Sequence, residues 1–385
     1  MLVIIMLASL KLSKSSILYL LIIFTPIAVA LEFVHADHII IFVIAAIALI
    51  PLAKLIGDST EHLSIHYGSS LGSLLNVTFG NAAEIIIAIV AINAGLLDLV
   101  KASISGAILG NILLIFGLSI LAGGFKYKEQ FFNRENVGLQ ASMLFLAIIG
   151  LAVPTVLANT VNLEDGGSGG DGVNIENQVS VQILSDLLAF LLLAIYIAGI
   201  IFTFFTHKQI FIQSVSKEHR QEEEEIKENH ITHWSKKKSF LLLGLSMAGV
   251  IVISEILVGS VEATTEEFGF GELFVGAIIV GIVGNAAEHS SAIILARKGK
   301  IDLSIGIAAG SGTQIALFVV PILVIAGIIM NKPFTLVFTL FELATIFLAA
   351  IILNLISHDG KSNWFEGVML TVVYIIIAIG FFFIK

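Results

Sequence analysis

Residues 80–84 read GNAAE, and the same five letters return at residues 284–288, 204 positions further along the chain. Matches at one fixed offset continue outside this motif. The offset pairs Gly72 with Gly276, Gly95 with Gly299, Asp98 with Asp302, Leu99 with Leu303 and Gly106 with Gly310. Such self-similarity indicates an internal duplication. The chain is therefore expected to consist of two related halves.

The composition places these halves in a membrane. Of the 385 residues, 57% are hydrophobic and 13% are charged, and several apolar runs reach the roughly 17 to 25 residues that cross a bilayer. The runs are continuously apolar, whereas barrel strands would alternate over about 10 residues. With no cysteine, disulfides and thiolate metal sites are excluded. We predict an all-α integral membrane protein with about 11 transmembrane helices.

The span boundaries and the orientation follow from the apolar runs and the basic residues. The predicted spans are residues 16–34, 38–56, 70–94, 101–122, 137–158, 179–206, 237–260, 271–296, 302–327, 334–356 and 364–384. A cytoplasmic N-terminus leaves only Lys101, Lys332 and Lys385, of 20 Lys and Arg, on the outside. This asymmetry obeys the positive-inside rule.

The duplication divides the chain into four parts. We predict an N-terminal span at 1–35, a first five-helix repeat at 36–207, an acidic cytoplasmic linker at 208–236 and a second five-helix repeat at 237–385. Each repeat crosses the membrane an odd number of times, so the second repeat is inverted. Inverted repeats are typical of secondary transporters, whose substrate site lies near the bilayer midplane beside interrupted helices.

The repeated acids, Glu84 and Glu288, are the first candidates for such a site. An ionised carboxylate at the bilayer centre costs about 2.5 to 3.5 kcal/mol and so needs a cavity or a partner. A neutral packing role is the alternative, and the identical contexts disfavour it. Two facing carboxylates cannot both stay charged at low cost unless a cation lies between them. The pair is therefore expected to choose between protons and a metal ion.

The neighbouring residues offer the oxygen atoms that Ca²⁺ would need. Two bidentate glutamates supply about four of its six to eight ligands. Asn81 and Asn285 lie three residues before each Glu on the same helical face, and helix breaks at Gly80 and Gly284 are expected to free carbonyls. Further amide and hydroxyl oxygens, with helix packing as the alternative role, belong to Ser105, Asn111, Ser311, Thr313 and Gln314.

These residues resemble the cation/proton exchanger family, CAX, within the wider cation/Ca²⁺ exchanger superfamily. The resemblance covers nearly the whole chain. It rests on residues 80–84, 284–291 (GNAAEHSS), 310–321 (GSGTQIALFVVP) and 359–367 (DGKSNWFEG). Sodium-driven relatives tend to carry Pro before the acid, with Ser or Thr around it, where this chain has Ala83 and Ala287. The difference favours protons as the coupling ion.

The resemblance implies a Ca²⁺/H⁺ antiporter that works by alternating access. Glu84 and Glu288 would bind Ca²⁺ or protons in turn, and His289, directly after the second acid, would serve proton coupling or gating. The assisting Ca²⁺ ligands would be Asn81, Asn285, Ser311 and Gln314. From the residues alone, His289 is equally well explained as an interhelical histidine. Ca²⁺ is thus a transported substrate, and neither a cofactor nor enzyme activity is expected.

Several alternatives stay open at this stage. A Na⁺-driven Ca²⁺ exchanger would share the fold, a Ca²⁺ channel or leak would lack countertransport, and an intramembrane metalloenzyme would need more metal-ligating histidines than His289. Glu61 and Glu262, near the ends of spans 2 and 7, would line entry vestibules or be solvated helix ends. The expected partners are Ca²⁺, H⁺ and a lipid bilayer, with no nucleic acid. A homo-oligomer is left open, and the compact loops favour a bacterial plasma membrane.

Overall fold

The computed structural model describes residues 17–67, 75, 78–165, 175–207 and 234–384, which are almost wholly helical. The first half contains α1 (Ile17–Leu20, a 3-10 turn at Leu21–Ile23, and Phe24–Phe33), α2 (His38–Tyr67), α3 (Ala82–Ala94), α4 (Leu97–Gly124), α5 (Arg134–Asp165) and α6 (Ile175–Ile201, continued by Phe202–Thr206). The second half contains α7 (Lys236–Phe268), α8 (Glu272–Arg297), α9 (Ile301–Ile329), α10 (Leu340–Ser357) and α11 (Trp364–Phe383). Two short strands, β1 (Gln130–Phe131) and β2 (Lys361–Ser362), complete the described elements.

The helix lengths fit the predicted membrane class. Within the described residues, nine helices are long and apolar enough to cross a bilayer, and α1 and α3 are shorter apolar helices. The all-α membrane prediction is therefore confirmed, while the count of eleven crossings stays a prediction. Most of the predicted acidic linker, residues 208–233, lies outside the described part of the chain.

The duplicated sequence forms the same local structure in both halves. Gly95 and Gly299 end α3 and α8 in the left-handed conformation, with φ of 87° and 85°. In each case the next residue donates a backbone hydrogen bond five residues back, from Leu96 to Ala91 and from Lys300 to Leu295, both at 3.0 Å. Glycine adopts a positive φ without a Cβ clash, which explains why it occupies both positions.

The first helices of the two repeats run antiparallel. A Cβ placed on Gly249, near the middle of α7, would lie 3.0 Å from Leu52 Cδ2, near the middle of α2. Close to the end of α2, the ring of His62 stacks on Trp234 at 4.5 Å between centroids, just before α7 begins. Antiparallel packing is what an inverted second repeat requires, because its first helix must cross in the opposite direction.

The helices divide into two compact units, and each unit draws on both halves of the chain. Unit 1 contains α1, α2, α3 and α7, with α4 up to Gly106, α8 up to Ser291 and the end of α11 after Ile377. Unit 2 contains α5, α6, α9 and α10 with the remaining parts of α4, α8 and α11. The division into repeats follows the sequence and stays a prediction.

In unit 2, the two strands pair the loop between α4 and α5 with the loop between α10 and α11. β1 pairs antiparallel with β2, with Gln130 opposite Ser362 and Phe131 opposite Lys361. The carboxylate of Glu366 accepts hydrogen bonds from Ser362 Oγ at 2.7 Å and Asn363 Nδ2 at 3.1 Å. The residues of the motif at 359–367 therefore form the loop that caps the start of α11. Because the two loops are paired, both lie on one side of the membrane, as the predicted orientation requires.

The predicted span at 334–356 is wrong at its start, because α10 begins only at Leu340 and the preceding residues are not helical. Phe334, Leu336 and Phe338 are nonetheless buried. Ser185 Oγ accepts a hydrogen bond from Leu336 N, and Thr155 Oγ1 accepts one from Phe338 N, both at 3.1 Å. Buried backbone groups need such partners when no helix supplies them.

Helix α10 starts at this point because Thr339 and Glu342 form a capping box. Thr339 N and Oγ1 each donate to Glu342 Oε2 at 2.8 Å, and Glu342 N donates to Thr339 Oγ1 at 3.2 Å. We expect Thr339→Ala to lower the free energy of unfolding by about 1 kcal/mol, measured as a lower midpoint of denaturation in detergent. Thr339→Ser keeps the hydroxyl and should match the parent; equal losses in both variants would contradict the capping role.

Candidate ion-binding site

The first GNAAE motif lies where α3 begins. Residues 78–80 are helical and α3 starts at Ala82. Asn81 lies between them with a non-helical backbone, φ −95° and ψ 16°. The predicted helix break near Gly80 is thus present, at Asn81. Glu84 consequently occupies the first turn of α3. At this position the helix dipole and the unpaired N–H groups favour a negative charge.

The second motif lies within α8 and has a different backbone. After a π-helical segment, Val275–Val280, an α-helix runs from Gly281 to Arg297 without a break at Gly284. Asn285 Nδ2 donates to Gly281 O at 3.1 Å. The prediction that Gly284 frees a carbonyl is therefore wrong. In this half of the chain the departure from regular α-helix lies before the motif, in the wider turn of the π-helical segment.

The two motifs pack against each other in unit 1, each acid against the other motif's glycine. A Cβ placed on Gly80 would lie 3.4 Å from Glu288 Oε1. Correspondingly, a Cβ placed on Gly284 would lie 3.3 Å from both Oε1 and Cγ of Glu84. Because glycine has no side chain, each carboxylate can approach the opposite backbone. The sequence repeat thereby becomes a pair of acids in reciprocal contact.

Burial makes it unfavourable for both acids of this pair to carry a negative charge. Glu84 and Glu288 are half-buried, and Oε2 of each is closed off from solvent. The negative charges of the two side chains repel each other. For Glu84, Oε2 has no hydrogen-bond donor among the residues that the structure describes. Two such carboxylates keep both charges only beside a cation, and otherwise lower their energy by taking up a proton.

Oxygen ligands other than carboxylates must complete any cation site. Within the described ranges, no group of three or more His, Cys, Asp or Glu side chains could hold a metal ion. Asn81 and Asn285 are each only 1% exposed, and both belong to the two packed motifs. They stay predicted ligands, in the same two motifs as the acids.

The remaining predicted ligands belong to unit 2. Ser311 Oγ accepts a hydrogen bond from Asn111 Nδ2 at 3.3 Å, and Gln314 is half-buried. Thr313 instead donates to Ala309 O and, at 3.2 Å, to Gln140 O, which is a helix-packing role. Ser311 and Gln314 stay predicted ligands.

His289 is buried in α8, one residue after Glu288. Its exposed fraction is 6%, and Nε2 has no hydrogen-bond partner within the described part of the chain. Adjacent residues point in directions about 100° apart around a helix, so His289 does not share the face of Glu288. Its role in proton coupling stays a prediction.

The predicted vestibule acids lie at opposite ends of unit 1. Glu61 and Glu262 are exposed and stand in equivalent places, six residues before the ends of α2 and α7. Because these helices are antiparallel, the two acids face opposite sides of the membrane. Glu262 lies within electrostatic range of Glu272, as does Asp98.

This chain is similar to known ion exchangers over nearly its whole length. The model of the family described as sodium/calcium exchanger protein matches residues 38–205 and 238–383. The Ca(2+)/H(+) antiporter of Aphanothece halophytica is 41% identical over 379 residues, which cover 97% of this chain and 98% of that protein. The Ca(2+)/H(+) antiporter ChaA of Bacillus subtilis is 40% identical over 361 residues, covering 93% and 96%.

A solved structure has the same fold. The structure of native YfkE superposes with a TM-score of 0.77 at 38% sequence identity, covering 95% of this chain and 99% of that one. Nearly every described helix therefore has a counterpart in an experimental structure.

Proposed function

The chain belongs to the sodium/calcium exchanger protein family, and on that premise we propose that it is a secondary active antiporter exchanging Ca²⁺ for H⁺. The reciprocal packing of Glu84 on Gly284 and Glu288 on Gly80 carries the proposal. Relatives named Ca(2+)/H(+) antiporter at about 40% identity, over nearly the full chain, favour H⁺ over Na⁺ as the coupling ion.

The chemistry of the acid pair explains why the two ions would exchange. Ca²⁺ between Glu84 and Glu288 neutralises both carboxylates, and the amides of Asn81 and Asn285 add neutral oxygens. When Ca²⁺ leaves, the bare carboxylates repel each other in a poorly solvated setting, so proton uptake restores neutrality. Ca²⁺ and protons therefore exclude one another. Alternating access then requires that the site reorients only when one of them is bound.

The remaining features of the proposal concern the surroundings of the site. Ser311 and Gln314 assist in Ca²⁺ binding, His289 takes part in proton coupling, and Glu61 and Glu262 line the two vestibules. The antiporter works in a bacterial plasma membrane with its N-terminus in the cytoplasm. Transport needs neither a resident cofactor nor an enzymatic step.

Transport in proteoliposomes tests the coupling ion. We expect Ca²⁺ to accumulate in sodium-free vesicles above its external concentration when the vesicle interior is made acidic, and not to accumulate when a proton carrier collapses this pH gradient. Uptake that begins only after Na⁺ is added would contradict proton coupling. Downhill Ca²⁺ flux that neither saturates nor moves protons would indicate a channel instead.

Acidification is expected to weaken Ca²⁺ binding. If protons and Ca²⁺ compete for Glu84 and Glu288, the half-saturating Ca²⁺ concentration should rise by roughly tenfold per pH unit for each proton displaced. Equilibrium ⁴⁵Ca²⁺ binding to purified protein across a pH series measures this slope. A wild-type affinity that does not change with pH would contradict the competition.

A further inference from the structure

Three loops on one side of unit 2 carry an excess of exposed positive charge. They are the segment between α4 and α5, the turn between α8 and α9, and the loop between α10 and α11. Their exposed basic residues are Lys126, Lys128, Arg134, Arg297, Lys298 and Lys361, against the exposed acids Glu129, Glu135 and Asp359. We call this surface the basic face.

One strand pairing and two close approaches at glycines bring the three loops together. The β1–β2 pair joins the first loop to the third, and a Cβ on Gly360 would lie 3.3 Å from Arg134 Cβ. A Cβ on Gly299 would lie 2.8 Å from the Tyr127 hydroxyl, which joins the first loop to the second. The basic residues beside these contact points are thereby held close together.

The basic residues of the basic face outnumber the exposed acids of the same described loops, six to three. The six basic residues named above form no ion pair with a carboxylate in the ranges that the structure describes. Lys126 Nζ lies 5.1 Å from the centroid of the Tyr127 ring, a cation–π contact that leaves its charge in place. Glu366 and Asp302, the half-buried acids nearby, are engaged by Ser362 Oγ and Asn133 N.

Exposed aromatic rings border the same loops. Phe125 is 81% exposed and Phe131 66%, and Trp364 and Phe365 are each at least half exposed. Tryptophan is one of the two residue types, with tyrosine, that concentrate in the headgroup layer of a bilayer. Trp364, which directly follows the third loop, therefore indicates that the basic face lies near the lipid phosphates.

We propose that the basic face binds the headgroups of anionic phospholipids in the adjacent leaflet. Clustered Lys and Arg beside membrane spans attract such headgroups, and the phosphate oxygens complement their charge. The three loops are separate in sequence, so a bound headgroup contacts several helix ends at once and holds them together. Anionic lipid is thus a stabilising ligand of unit 2, independent of the Ca²⁺ site.

A lipid titration of the purified full chain in detergent tests this proposal. Phosphatidylglycerol should raise the midpoint of thermal unfolding more than phosphatidylcholine does. In the triple variant Lys126→Gln, Lys298→Gln, Lys361→Gln, the phosphatidylglycerol concentration that gives half of this rise should increase roughly tenfold or more. Replacement of the same three residues by Arg keeps the charge and should keep the response.

A matched control separates the basic face from general charge. Lys236, Lys237 and Lys238 are also exposed and belong to unit 1, and their replacement by Gln removes as much charge. This control should retain the wild-type response. An equal loss in both triple variants, or a wild-type midpoint indifferent to phosphatidylglycerol, would overturn the proposal.

Two further experiments test whether something other than lipid binds the basic face. Inorganic phosphate should not reproduce the effect; if it does, the basic face binds a free anion rather than lipid. Replacement of Glu222–Glu225 by Gln should leave the lipid response unchanged. A response that becomes roughly tenfold more sensitive would instead assign the basic face to the chain's own acidic linker.

Discussion

Glu84→Gln and Glu288→Gln are each expected to abolish measurable Ca²⁺ transport. Each substitution removes a carboxylate from a poorly solvated pair and leaves a group that cannot take up a proton. At an effective dielectric constant near 20, one unit charge at 4 Å contributes about 4 kcal/mol. The loss of one carboxylate from a divalent site should therefore weaken Ca²⁺ binding by roughly a hundredfold or more. Uptake into sodium-free proteoliposomes under a pH gradient measures the effect.

Asp186→Asn is the matched control for these variants. Asp186 also lies within a membrane helix, where Oδ1 accepts a hydrogen bond from Gln182 Nε2 at 2.7 Å. An amide oxygen can still accept this bond, so transport should be retained. Unfolding midpoints of all three variants show whether the protein stays folded. Full transport by folded Glu84→Gln or Glu288→Gln would place the ion site elsewhere.

Gly106→Ala is expected to cause the largest loss of stability. A Cβ at this position would lie 1.8 Å from Ala277 O, which is backbone and cannot move aside alone. The same helix crossing is tight at Gly276, whose Cβ would lie 2.7 Å from Leu99 O. One methyl group would force α4 away from the π-helical segment of α8, with a cost of about 3 kcal/mol or more. Denaturation in detergent measures this loss.

Gly244→Ala provides the control for this prediction. Gly244 lies in α7 with nothing within 4 Å of the position that a Cβ would occupy, and Ala is the better helix former by about 1 kcal/mol. This variant should be as stable as the parent or slightly more so. Equal behaviour of the two glycine variants would mean that α4 and α8 do not cross closely at Gly106.

Much of the fold could be predicted because its signals are local in sequence. Apolar runs give helices in a bilayer, and the repeated Gly95 and Gly299 end equivalent helices in the same conformation. The start of α10 was predicted too early because residues 334–339 are as apolar as a span. This segment is not helical, and its backbone N–H groups instead find partners in the hydroxyls of Thr155 and Ser185, which are distant in sequence.

Some features of the candidate site could likewise be predicted from the sequence, and others could not. Its acids, Glu84 and Glu288, were evident from the repeated motif, as were Asn81 and Asn285 at helical spacing. The break at Asn81 and the unbroken helix at Gly284 were not, because identical pentapeptides cannot predict different backbones. The second motif follows a π-helical segment, Val275–Val280, which the pentapeptide itself does not encode.

By itself, the sequence determined that this chain is a helical membrane protein with a duplicated, acid-bearing motif. Hydrophobicity is a property of consecutive residues, and the repeat is a match between two stretches of the sequence, so both can be recognised without knowledge of the fold. Tertiary structure alone decided that each acid lies against the opposite glycine, that each compact unit mixes both halves, and that three separate loops form one basic face. These are contacts between residues far apart in sequence, and they exist only once helices from both halves have packed together.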